Sequence, residues 1–270
     1  TDLVTPGRAA VVAVRLLRRH RFVQMDMVRH ACEFAGLAQS AWLYAVAPCH
    51  ARAYHLQTGL DGRLKTGSVA GTVTVANTGA RAGSARLTLR LLDAAGRCVA
   101  RCRRSSRLQP GVERRLDVGV DVDAPARWND EHPHLYTVEL GLSFPGQEKQ
   151  RYTYRTGFRR FTLSPKGPRL NGRPVKFRGV NHLTYHPNGG MYTPRHWLRQ
   201  NLQMMKKANV NCIRTHFLGP SYLAELCDEL GIYLIQELPI DWGTDYIADV
   251  AWVGPAMMRL AGGILRDRHH

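Results

Sequence analysis

Long hydrophobic runs are missing from this chain of 270 residues: the run near its start, Ala9 to Val14, ends at Arg15. A membrane-spanning helix needs roughly 18–20 apolar residues, so a membrane span is excluded and a secretory signal is not expected. Cysteine is sparse, six residues at irregular spacing, which excludes a disulfide framework and leaves reduced, buried thiols. Cys98-x-x-x-Cys102 has no partner pair at zinc-ligand spacing and reads as structural. With neither a signal nor a disulfide pattern, the expected compartment is the cytoplasm. Acidic side chains are also short, 21 against 38 Lys and Arg, for a net charge of +17, and none occurs between Lys149 and Ala224. That block either binds a polyanion or faces acidic segments or subunits elsewhere. No helix-turn-helix, zinc or RNP-type motif accompanies it, so nucleic acid is not an expected partner.

What is present is enough apolar sequence, 44%, to bury a real core and exclude a disordered tail. The first 160 residues or so read as antiparallel β. Ser68 to Val75 alternates, with Asn77-Thr78-Gly79 as the next turn; in Ala85 to Leu92, Leu87, Leu89 and Leu91 share one face. Leu116 to Val122 and Leu135 to Leu142 are two further strands. Short strands at this spacing predict a β-sandwich of about 100 residues, from Cys49 to Phe161.

The pattern changes near residue 170. Val175 to Val180 reads as a strand, and Thr193-Pro194 as a helix start with Thr193 the N-cap and Pro194 the first helical residue. Leu198, Leu202, Met205 and Ala208 form its apolar stripe. Asn211 to Arg214 is a strand, Ser221 to Leu230 a helix stopped by Gly231, and Ile232 to Ile235 a third strand. Such alternation predicts parallel βα units, with a last helix over Ala256 to Arg268.

Four stretches resemble glycoside hydrolase family 2, the group of β-galactosidases, β-glucuronidases and β-mannosidases. Trp128-Asn129-Asp130-Glu131-His132-Pro133-His134-Leu135-Tyr136 is similar to the segment that closes that family's sandwich. Gly157-Phe158-Arg159 resembles the lead into its catalytic domain. Leu170 to Val175 with Arg178 to Asn181 resembles the first barrel strand. Asn211 to His216, Leu226 to Gly231 and Glu237 resemble the next two βα units. Upstream, Asp26-Met27, Gly36-Leu37 and Trp42-Leu43-Tyr44 resemble the end of the family's jelly-roll domain.

The resemblance implies a multidomain β plus α/β chain. A jelly-roll remnant over 1–48 would precede an immunoglobulin-like sandwich over 49–161 and the N-terminal part of a (β/α)8 TIM barrel over 162–270. A complete barrel needs about 200–250 residues, so only three strands are expected here. The implied activity is retaining β-glycosidase chemistry on β-linked carbohydrate. Both catalytic glutamates of the family fall on later strands, so the chain alone is expected to be inactive. A non-catalytic carbohydrate-binding or scaffold protein is the alternative, and a homo-oligomer stays open.

The resemblance further implies that Arg214 and His216 shape the sugar subsite, His216 standing one residue earlier than in the family pattern. Glu237, at the end of strand three, is either a group that meets the sugar or a structural carboxylate paired with Arg214. Asn181 and His182 follow strand one, and His182 serves the site or a hydrogen-bonded structural role. Trp242 is a sugar-stacking platform or a core residue. No cofactor is expected; in galactosidase-like relatives Mg²⁺ is held by the strand-three Glu and a downstream His, where Asp241 stands here.

Overall fold

The structure is a computed structural model that describes residues 7–16, 41–190, 192–216, 218–238 and 250–270. Asp26-Met27 and Gly36-Leu37 lie outside the described residues, as do Asp241 and Trp242. Residues 7–16 and 41–47 carry no helix or strand, and Trp42, Leu43 and Tyr44 are exposed.

Seven strands build the sandwich: β1 (Cys49–Leu60), β2 (Thr66–Asn77), β3 (Gly83–Leu92), β4 (Cys98–Leu108), β5 (Glu113–Asp123), β6 (Tyr136–Ser143) and β7 (Gln150–Thr156). One antiparallel sheet has the order β1-β2-β5, the other β4-β3-β6-β7. Leu87, Leu89 and Leu91 point inward with Val138, Leu140 and Leu142 of the adjacent β6, and meet Val69, Val73 and Val75 from the opposite sheet. The alternating leucines thus form one wall of the core, as their period of two requires. β1, β4 and β7 were not legible as strands. The inward side of β4 offers Ala100 and Cys102, and its outward side is arginine and serine, too little apolar contrast to show a period.

A small antiparallel sheet follows, order β10-β9-β8, from β8 (Phe161–Ser164), β9 (Gly167–Leu170) and β10 (Arg173–Pro174). Then come the parallel units: β11 (Gly179–His182), α1 (Arg195–Lys207), β12 (Cys212–Thr215), α2 (Tyr222–Leu230) and β13 (Tyr233–Gln236), with order β11-β12-β13. Leu198 and Leu202 of α1, Leu223 and Leu226 of α2, and Ile213 of β12 form their core. A 3-10 turn at Val250–Trp252 leads into α3 (Val253–Asp267).

Two local expectations are corrected. The first parallel strand starts at Gly179, not Val175, because Val175 donates its N–H to Pro168 and Arg178 donates its own to the Asn211 side chain, 2.7 Å. Thr193 does not cap α1: its hydroxyl donates to the Thr184 carbonyl, 3.0 Å, and Pro194 occupies the cap position.

Sandwich and βα units share a third core of Trp128, Leu135 and Leu170, with Val175 and Tyr233 against it. Gly157 makes room for it: a Cβ there would stand 2.6 Å from the Trp128 Cβ. Phe158 next turns into the sandwich core, and the Arg159 guanidinium lies 5.1 Å from the Trp128 ring centre. The Gly-Phe-Arg triplet is therefore a joint with one residue for each side. Part of the basic block meets α2: Arg155, Arg195 and Arg199 pair with Glu229, Arg195 with Glu225, and Arg159 with Asp228.

Candidate active site

Strand direction decides where chemistry can gather. β11, β12 and β13 run parallel, with Asn181 level with Arg214 and Ile235, and His182 level with Thr215 and Gln236. Their carboxyl ends therefore deliver Asn181, Arg214 and Glu237 to one rim. Along β12, Ile213 and Thr215 turn to the buried side, which leaves Arg214 on the open side.

There the Arg214 guanidinium pairs with the Glu237 carboxylate and donates a 3.2 Å hydrogen bond to the Asn181 side-chain carbonyl. Glu237 is anchored from behind, its N–H donating to the Thr215 hydroxyl at 3.4 Å. Glu237 is thus paired with Arg214, and it follows the carboxyl end of β13 at the rim. A guanidinium has five N–H donors, so Arg214, about two-fifths exposed, keeps donors available for hydroxyl oxygens.

His182, the last residue of β11 and one step past Asn181 toward the carboxyl end, is buried, and its Nδ1 has no hydrogen-bond partner. Burial lowers its pKa below the ordinary 6.5, so it is neutral at physiological pH. His216 follows Thr215 and is half-buried. Beside β13, the Gln236 side chain accepts from Arg266 at 3.1 Å and donates to Asp267; Arg266 also reaches the Gly219 carbonyl at 2.9 Å. Thr215, Gln236, Arg266 and Asp267 were not singled out from sequence as site residues, and only strand register shows their place.

Among the described residues, no group of three His, Cys, Asp or Glu side chains converges as a metal site. Glu237 by itself does not fit Mg²⁺: a cation that takes six oxygens would stand beside the Arg214 guanidinium.

Two adjoining family models match this architecture. Residues 49–159 match glycosyl hydrolases family 2, and residues 165–246 match the TIM barrel domain of the same family. The chain belongs to glycosyl hydrolases family 2. Its sandwich is the family's immunoglobulin-like domain, and its parallel units are the first part of the (β/α)8 barrel. A β-galactosidase of Halalkalibacterium halodurans is 30% identical over 77% of this chain and 20% of its own length. β-Galactosidase 2 of Enterobacter cloacae is 27% identical over 100% of this chain and 27% of its own. The family 2 chain thus spans between a fifth and about a quarter of these relatives. Among solved structures, the Parabacteroides merdae β-glucuronidase has a TM-score of 0.71 and 27% identity, covering 83% of this chain and 27% of that one. A Bacteroides uniformis β-glucuronidase, at 22% identity and TM-score 0.75, shares the fold.

Proposed function

We propose that this chain supplies the sandwich and opening βα units of a retaining β-glycosidase of the β-galactosidase type. Its Arg214, Glu237 and Asn181 form one wall of the sugar subsite. The observation that carries this is their meeting at the carboxyl ends of three parallel strands, the face where barrel enzymes hold their substrates. A sugar hydroxyl can accept from Arg214 while donating to Glu237 or Asn181, which fixes both its position and its orientation. His216 and His182 shape the same rim in this reading, and Asp241 and Trp242 belong to the segment that follows Glu237. The family names β-galactosidase and β-glucuronidase among its relatives support a glycoside as substrate.

Retention requires a nucleophile and an acid/base about 5–5.5 Å apart. Glu237 is held by a cation, and the Asp267 carboxylate beside β13 is bonded to Gln236 and Arg266. The catalytic pair is therefore assigned to later strands of the barrel, as in the family. The test is hydrolysis of nitrophenyl β-galactoside, β-glucuronide and β-mannoside by the purified chain, paired with NMR titration of galactose. Shifts at Asn181 and Arg214 that vanish in Arg214→Ala, with no turnover, support the reading. Turnover lost in Glu237→Gln would make Glu237 a catalytic group, and absence of any sugar-induced shift would remove the subsite.

A further inference from the structure

The outer face of the four-stranded sheet is built of arginine. On β3, Arg86 and Arg90 alternate with the buried leucines and so point to solvent; on β4, Arg101, Arg103 and Arg107 do the same. Arg151 of β7 lies level with Gly141 of β6, and over Gly141 the Lys149 side chain lies across the sheet. The sole acid in the outward rows of these strands is Glu139, and two arginines share it: Arg90 at 2.9 Å and Arg151 at 3.7 Å. Arg86, Arg101, Arg103 and Arg107 have no carboxylate at ion-pair distance among the described residues.

This arrangement works against the fold. Arg90 sits directly opposite Arg101 across neighbouring strands about 4.8 Å apart, and like charges so placed repel. The excess is local, since the opposite sheet shows Asp117 and Asp121 beside Arg115 on its own outer face. A face that concentrates unpaired guanidinium groups at a cost in stability is one that a polyanion would neutralise.

We propose that the outer face of the β4-β3-β6-β7 sheet binds an anionic polysaccharide, carrying sulfate or carboxylate groups. Guanidinium forks match both groups bidentately. Between the arginines lie Thr88, Ser105, Ser143 and Thr153, short hydroxyls that leave the face flat and can bond sugar hydroxyls. Single-stranded nucleic acid is disfavoured because no aromatic ring points out of these four strands to stack a base. Duplex nucleic acid is disfavoured because, among the described residues, no helix occurs from β1 to β7 that could enter a groove.

The test compares heparin, alginate and duplex DNA as probes for the whole chain at about 0.15 M salt, where the screening length is roughly 8 Å. The face variant is Arg86→Ser, Arg101→Ser and Arg103→Ser together. The control removes the same charge elsewhere, through Lys166→Ser, Arg173→Ser and Lys176→Ser. Each arginine near a polyanion is worth roughly fivefold in affinity, so the face variant binds heparin or alginate about 100-fold more weakly, and the control is little changed. Heparin against alginate separates sulfate from carboxylate as the preferred group. With the Arg90–Arg101 repulsion gone, the face variant melts no lower than the parent, which shows it is folded. Equal weakening in both variants, no binding by the parent, or tighter binding of duplex DNA than of either polysaccharide would overturn the proposal.

Discussion

The indole Nε1 of Trp128 donates a 2.8 Å hydrogen bond to the main-chain carbonyl of Asp228. Trp128 follows β5 of the sandwich, whereas Asp228 lies in the final turn of α2, where the last carbonyls lack a partner further along the helix. The sandwich thus closes a helix end in the barrel units, and the same Asp228 carboxylate accepts the His270 ring at 2.8 Å. Trp128→Ala should cost on the order of 3–5 kcal/mol in chemical denaturation, from lost burial plus an unsatisfied carbonyl. A cost below about 1 kcal/mol would show that this joint carries no stability.

Gly231 is the second prediction. It ends α2 in the left-handed region, φ +68, and a Cβ there would lie 2.2 Å from the Asp130 carbonyl oxygen. That carbonyl and the Gly231 carbonyl are both bonded by Lys206, so the backbone has little freedom to withdraw. Gly231→Ala is expected to destabilise by more than about 2 kcal/mol in the same denaturation experiment, strain and clash combined. A neutral effect would mean that the Asp130 segment moves freely.

Acid should destabilise the protein through its buried imidazoles. Burial lowers the pKa of His182, and burial first, then the neighbouring His270, lowers that of His269. A folded pKa below the unfolded value means the unfolded chain binds more protons between the two. Stability is then fully present above about 6.5 and falls as pH drops from there toward the folded values. Thermal melts across pH 7.5 to 5 should show that loss, and it should be shallower in His182→Leu. An unchanged pH slope in the variant would exclude His182 as a contributor.

How much of this was readable beforehand differs from residue to residue. The leucines of β3 announce their strand and its inward face, because a period of two survives in any environment. The βα rhythm after residue 170 and the four family-like stretches likewise carry the fold class and the expected rim residues. β1 and β4 escaped because their inward residues contrast too little with their outward ones. β7 does alternate, Tyr152 and Tyr154 inward against Arg151, Thr153 and Arg155, but over only seven residues. Val175 failed as a strand start because its N–H is taken by Pro168.

Alternation in a sequence says which residues share one face of one strand. It does not say which strands lie side by side. The order β4-β3-β6-β7 alone sets Arg101 against Arg90 and Glu139 between two arginines. In the same way, the parallel register alone brings Asn181 to Arg214, 33 residues away, and Glu237 to Arg214. Local chemistry, written residue by residue, determined the elements and the family. The long-range pairings decided the rim, the joint and the arginine face, because hydrogen-bond register between distant strands depends on the packing of the whole core and not on any one segment.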